Sequence, residues 1–322
     1  MAHMIDQMAY VGATPWHGLG NKLSENQSLE TWKIDAGLDW TVLPQEVLYR
    51  DSKGELRAYQ NRRVLVRSDN QAPLSVVSDR YKPVQPEEVL EFFRDFIEQS
   101  DFRMETAGSL DYGRKIWALA KAPETLVLPG GDQIGRHLLL ATSFDLSIPT
   151  IVQQTSIRVV CHNTLSCAVQ NGGEKGEASI RRSHKAFFNA VDVKEMMGLA
   201  PQWSTFCEAV NLLAEKKMTE KAAEEFLLEC FYPEEKRTVE NFSERGAKRR
   251  VAELVDVMNH APGSELPSAK GTAWGTVNAV TYFIDHQAKS KDRALRLDKA
   301  WFGDGAAMKN RAMELALAFA QQ

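Results

Sequence analysis

Apolar and polar residues alternate over much of the first half of the chain, which predicts β-strands. The alternating runs "EVLYR" and "LRAYQNRRVLVRS" flank the turn "DSKGE" and predict a hairpin. A second hairpin is predicted over "FRMETAGSLDYGRKIWALAKA", with "PLSVVSDRYKPV" and "GRHLLLATSFD" as further extended runs. "TSIRVVCHNTL" predicts a strand that leads into a helix capped by Asn163 or Thr164. Residues 46–170 are therefore expected to form a β-rich core domain.

Helical spacing of apolar residues occurs once inside this region and dominates after it. "PEEVLEFFRDFIEQS" predicts a helix that begins at Pro86, with Glu87 and Glu88 in its first turn. A short helix is also predicted before Gly37, within a turn-rich N-terminal segment, 1–45. Further helices are predicted over "SHKAFFNAVDVKEMMGLA", "WSTFCEAVNLLAEKKM", "TEKAAEEFLLECF", "VENFSERGAKRRVAELVDVMNH", "AWGTVNAVTYFIDHQ" and "AAMKNRAMELALAFA". The expected fold class is α+β: a core of antiparallel hairpins with a packed helix, followed by a helical domain, 171–322.

Composition places the chain among ordinary globular proteins, with 43% hydrophobic and 25% charged residues in 322 positions. No apolar run is long enough for a membrane helix and no secretory signal is evident, so we expect a cytoplasmic protein without membrane contact. The four cysteines are then expected to be free thiols in a reducing compartment. They are Cys161, Cys167, Cys207 and Cys230.

The string "RVVCHNTL" raises the question of a reactive thiol, because Cys161, His162 and Asn163 adjoin. Neighbours on a strand point to opposite faces, whereas catalytic Cys and His side chains converge from separate elements. We therefore favour Cys161 and Cys167 as core residues. The alternative is a cleft built from Cys161, His162, Asn163 and Asp145.

Signatures of common cofactors are missing from the sequence. It contains no C-x-x-C pair, no H-E-x-x-H and no phosphate loop ending in Gly-Lys-Ser/Thr. The histidines, apart from His162, are scattered singly. We therefore expect neither a metal site nor a nucleotide cofactor, and an enzyme is the less favoured interpretation.

The formal net charge of −4 excludes a globally basic nucleic-acid binder but not a local basic surface. Basic residues cluster in "RKIW", in "SIRRSHK" and in "RGAKRR", and Arg158 lies inside an apolar strand. A buried charge of this kind requires a carboxylate partner or a phosphate. The predicted nucleic-acid contacts are Arg114, Lys115, Trp117, Arg158, Arg181, Arg182, Lys185, Lys248, Arg249 and Arg250, with Tyr112 as an alternative stacking residue.

Several strings in order along residues 15–316 resemble the phage/plasmid-like protein family built around domain of unknown function 932. They are "PWHGLG", "AGLDWTV", "RVVCHNTL", "IRRSH" and "GTAWGTVNAVTYFIDH" followed by "WFGDGAAMKNRAMELA". The resemblance implies carriage on phages, prophages and plasmids, and brings no catalytic residues. The predicted order of elements is also similar to the β-β-β-α core of single-strand-annealing recombinases, which implies a ring or filament that holds single-stranded DNA by its backbone.

The leading hypothesis is an oligomeric single-stranded nucleic-acid-binding protein of a mobile element, serving recombination or replication. One alternative is an enzyme or ligand-binding protein that acts on nucleotides or host signals. Another is a protein that blocks a host factor.

Overall fold

The computed structural model describes residues 5–15, 18–167, 179–182, 200–239, 242–288 and 296–322. The strands are β1 (Ile5–Val11), β2 (Asn21–Leu23), β3 (Val42–Arg50), β4 (Leu56–Arg67), β5 (Pro73–Ser78), β6 (Arg103–Leu110), β7 (Lys115–Leu128), β8 (Asp132–Ser143), β9 (Thr150–Arg158), β10 (Asn163–Ser166) and β11 (Ser179–Arg182). The helices are α1 (Leu29–Asp35), α2 (Pro86–Glu98), α3 (Ala200–Glu215), α4 (Glu220–Phe231), α5 (Glu234–Arg237), α6 (Glu244–His260), α7 (Ala273–Tyr282), α8 (Arg296–Phe302) and α9 (Asp304–Ala320). A π-helical turn, Phe283–Gln287, continues α7.

The large sheet has the order β10-β9-β8-β7-β6-β1-β2, and β11 pairs with β9 on the same edge as β10. Its pairs are antiparallel except for β1 and β2. Successive side chains of a strand point to opposite faces. On β7 this alternation places Trp117, Leu119 and Lys121 on one face, here called the outer face, and their neighbours Ile116 and Ala118 on the inner face.

The inner face packs against α2 and a small sheet of order β3-β4-β5. Helix α2 begins at Pro86 with a capping box between Gln85 and Glu88, as helix-start chemistry requires. Its apolar stripe includes Phe93, which is fully buried in the same cluster as inner-face residues such as Leu140. The sheet and α2 therefore enclose one apolar core.

The C-terminal helices surround a second core, centred on Phe206, Leu227 and Val277. Leu128 of β7 and Leu165 of β10 belong to this cluster too, so part of the large sheet packs on the helices. Within the described residues, no helix is both long and apolar enough to span a bilayer.

The α+β class is confirmed, as are both hairpins and helices α1 and α2. The predicted passage from strand to helix at "RVVCHNTL" is wrong. His162 takes a positive φ of 54°, in the turn that reverses the chain, and Asn163 then begins β10. Strand β1 lies in the segment that the sequence marks as turn-rich. The helix predicted over "SHKAFFNAVDVKEMMGLA" lies outside the described residues except at its end, and the domain boundaries stay predictions.

Candidate functional site

Three residues predicted to contact nucleic acid are buried. Lys115, Trp117 and Arg158 are 8%, 2% and 3% exposed. The Trp117 ring packs edge-on against Trp301, with the ring centroids 5.9 Å apart. Since none of the three presents its polar or aromatic surface to solvent, their predicted role in stacking or phosphate contact is corrected to a role in the core.

The other predicted contacts are dispersed over the fold. Arg114 lies in the β6–β7 turn, where its guanidinium is 3.2 Å from Asp111. On α6, Lys248 pairs with Glu244, and Arg249 and Arg250 both pair with Glu253. Arg181 and Arg182 lie in β11 opposite Ile151 and Thr150, and Lys185 lies outside the described residues. Acidic neighbours thus offset Lys248, Arg249 and Arg250 on α6.

Arg158 has the carboxylate partner that its burial requires. Its guanidinium donates to both carboxylate oxygens of Asp132, at 2.8 and 2.9 Å, and to the carbonyl oxygen of Gly263 at 2.9 Å. Ser268 donates a further hydrogen bond to Asp132. This network ties β8 and β9 to the loop before α7, so Arg158 is a structural residue.

The rest of the "RVVCHNTL" string is structural as well, with one exception. Cys161 is 4% exposed, and burial raises the pKa of its thiol to about 11, which leaves it protonated and unreactive near neutral pH. The Asn163 amide donates to the Thr281 hydroxyl of α7 at 2.9 Å. Asp145 accepts hydrogen bonds from Ser147 in the turn after β8. Of the four residues in the alternative prediction, His162 lines the cleft described next.

A cleft lies between the outer face of the large sheet and helices α8 and α9. Its two chambers have volumes of about 400 and 170 Å³; the larger falls within the roughly 300–1,000 Å³ of small-molecule sites and the smaller falls below that range. Both chambers are lined by Leu119, Ile157, Thr164 and Trp301. The smaller, here the acid chamber, also contains Glu105, Trp117, Lys121, His137 and His162. The larger, here the neutral chamber, contains Gln153, Thr155, Ser166, Lys309 and Asn310.

A buried ion pair forms part of the wall between the chambers. The ammonium group of Lys309 donates to Asp285 and to the Thr164 hydroxyl, each at 2.8 Å. Asp285 also accepts from the Thr164 amide at 2.8 Å. The side chains of Lys309 and Asp285 are 4% and 5% exposed. The charge of Lys309 is therefore already neutralised where it meets the neutral chamber.

Strand register assembles the polar groups of the acid chamber. Lys121 of β7 lies opposite His137 of β8, on the outer face. Pairing between β6 and β7 shifts between Met104 and Thr106, so Glu105 is the extra residue of a β-bulge. A bulge redirects the side chain that it carries. Three adjacent strands thus supply a carboxylate, an ammonium group and an imidazole to one place.

Glu105 and His137 form a close pair. The His137 Nε2 atom lies 2.8 Å from Oε2 of Glu105, and its Nδ1 atom is 3.1 Å from the Gly135 carbonyl oxygen. A carbonyl can only accept, so Nδ1 carries a hydrogen and Nε2 faces the carboxylate. Gly135 leaves room for this ring, because an added Cβ would lie 2.9 Å from Cε1 of His137.

Electrostatics keep Glu105 ionised. Burial alone would raise its pKa, but the contact with His137 and the electrostatic influence of His137, Lys121 and His162 outweigh it, and the pKa of Glu105 lies below its ordinary value. The Glu105 side chain is 26% exposed and that of His137 only 3%. Glu105 is thus the accessible hydrogen-bond acceptor, and the buried His137 ring contacts its carboxylate. Among the described residues, no three His, Cys, Asp or Glu side chains are grouped to hold a metal ion.

Comparison with known families places the chain. The family model of a domain of unknown function, DUF932, matches residues 73–301. The chain belongs to the DUF932 family. No curated protein and no solved structure matches it.

The matched region of this DUF932 protein contains Glu105, Lys121, His137 and His162, and sequence reasoning had not joined them. A weak signal was available. Glu105 interrupts the strand "FRMETAG", and His137 precedes the apolar run "LLLATSF", so both are polar residues in buried strands. Their partnership could not be foreseen, because it depends on the order β8-β7-β6 and on the bulge.

Proposed function

We propose that this DUF932 protein binds a small heteroaromatic ligand with N–H donors, of the nucleoside class, in the cleft. The observation that carries the proposal is an ionised carboxylate, Glu105, held by His137 at the wall of a tryptophan-lined chamber. A carboxylate of this kind accepts hydrogen bonds from ring N–H or amino groups. The half-buried indole of Trp301 offers apolar surface to a flat ring.

The neutral chamber favours a sugar or another uncharged polar group over a phosphate. Gln153, Thr155 and Asn310 supply neutral donors and acceptors there. Lys309 is paired with Asp285 and so offers little attraction to an anion. A nucleoside is therefore expected to bind at least as tightly as its monophosphate.

The test is calorimetry and thermal shift of the full chain with a panel of nucleobases, nucleosides and nucleoside monophosphates. Glu105→Gln replaces a charge-assisted hydrogen bond worth about 1.5–3 kcal/mol, so affinity should fall roughly 10- to 100-fold. Glu98→Gln, an equal charge change at an exposed position of α2, is the matched control and should leave affinity unchanged. Absence of binding across the panel, or equal affinity of the Glu105→Gln variant, contradicts the proposal.

A further inference from the structure

The β3–β4 hairpin extends beyond the small sheet. Strand β5 pairs with β4 only from Arg62 to Val66, so the hairpin outside these residues has no strand on its β4 side. We call residues 46–63 the arm; Arg62 and Arg63, at its base, still pair with β5. Four of its large apolar side chains are exposed: Leu48 by 52%, Tyr49 by 47%, Leu56 by 60% and Tyr59 by 54%. Scattered apolar residues on a surface need no explanation, but such a cluster on one hairpin indicates a contact surface.

The tip of the arm is held in shape by its own hydrogen bonds. The Asp51 carboxylate accepts from the amides of Lys53 and Glu55 at 2.9 and 3.0 Å. Its other oxygen accepts from Arg57 at 2.6 Å. A two-stranded hairpin is marginally stable alone, so these bonds supply order that packing does not.

One face of the arm carries two aromatic rings and Arg57, which is ion-paired with Asp51 and Glu55. Tyr49 lies opposite Arg57 in the register, and its ring meets that of Tyr59 edge-on, with centroids 6.4 Å apart. The arm carries five Lys or Arg residues and three acids, whereas the whole chain has a net charge of −4. Within the described part of the chain, Lys53, Arg62 and Arg63 have no ion-pair partner.

From this combination we propose that the arm is a binding surface for single-stranded nucleic acid. Tyr49 and Tyr59 stack on bases, and Lys53 and the exposed Arg62 neutralise phosphates, as in sequence-tolerant single-strand binders. Pairing of two arms from separate copies is disfavoured, because both carry the same excess of positive charge. Charged side chains on an edge strand also oppose its pairing with another strand. The surface is thus distinct from the residues predicted earlier from the sequence.

The test is fluorescence anisotropy of the full chain with a labelled 20-nucleotide poly-dT strand. Two phosphate contacts on a single strand give a log–log salt slope of about −1.4, so affinity should fall roughly sevenfold from 50 to 200 mM salt. In Arg62→Ala one contact remains, and the same change of salt should cost only about threefold. Tyr49→Leu and Tyr59→Leu should each weaken binding roughly fivefold or more.

Two further measurements make the outcome decisive. Arg94→Ala/Lys221→Ala removes two exposed cations from α2 and α4, and should bind as the parent does. Mass in solution is measured for every variant. Wild-type affinity in the arm variants, or no binding at 50 mM salt, overturns the proposal. A change from dimer to monomer in the arm variants with unchanged DNA affinity overturns it in favour of contact between copies.

Discussion

The ion pair between Arg158 and Asp132 offers a quantitative test of how the sheet is joined to the helices. Both residues are almost fully buried, and Asp132 accepts three hydrogen bonds, two from Arg158 and one from Ser268. Removing one partner of such a pair strands the other charge, which costs about 3–5 kcal/mol. Asp132→Asn and Arg158→Met should therefore each lower the free energy of unfolding by that amount.

The double variant separates the ion pair from packing. With both charges gone the penalty for a stranded charge disappears, so the double variant should lose much less than the sum of the singles, with a coupling energy of at least about 2 kcal/mol. Urea unfolding followed by tryptophan fluorescence measures this coupling energy, provided that the dependence of the unfolding free energy on urea concentration is the same for all variants. The exposed pair Arg249–Glu253 is the matched control, for which no resolvable coupling is expected. Additive single effects below about 1 kcal/mol would refute the reasoning.

Three other predictions follow from the buried groups. Gly135→Ala should destabilise the fold by about 1–3 kcal/mol in urea unfolding, because the new Cβ meets the His137 ring; an unchanged midpoint would contradict the close approach. Burial raises the pKa of Cys161 and Cys207 to about 11 and that of Cys230 to about 12. The thiols of the native protein should therefore react with an aromatic disulfide at pH 8 far more slowly than those of the unfolded protein. Cys207 should react first because it is partly exposed. The pKa of Glu105 is lowered from 4.5, so its contribution to stability is complete above that pH and is lost as pH falls through the folded value. The difference in melting temperature between wild type and Glu105→Gln should therefore shrink as the pH falls below 4.5, and a difference that grows over this range would contradict the lowered pKa.

Local patterns predicted the elements that depend on local chemistry. Alternation and a turn were enough for the β3–β4 hairpin, and Pro86 with two acids was enough for α2. The prediction of a helix start in "RVVCHNTL" was wrong because Asn163 is suited both to a helix cap and to a turn. What decides its conformation is nonlocal: its amide bonds to Thr281, more than a hundred residues away.

The functional residues show the same division. Burial of Cys161 and the need of Arg158 for a carboxylate could be inferred from their apolar neighbours, and the structure supplies Asp132 as that carboxylate. The pairing of Glu105 with His137 could not, since it spans three strands and depends on one extra residue in β6. Exposure of Trp117 was misjudged because aromatic residues suit a core as well as a stacking surface.

The central claim, that the cleft recognises a nucleoside-like ligand through Glu105, is tested most directly by one titration. Calorimetry of the wild type, Glu105→Gln and Glu98→Gln against the tightest nucleoside of the panel should give one affinity for wild type and Glu98→Gln. It should give an affinity roughly 10- to 100-fold weaker for Glu105→Gln. Equal affinities for all three proteins would contradict the claim.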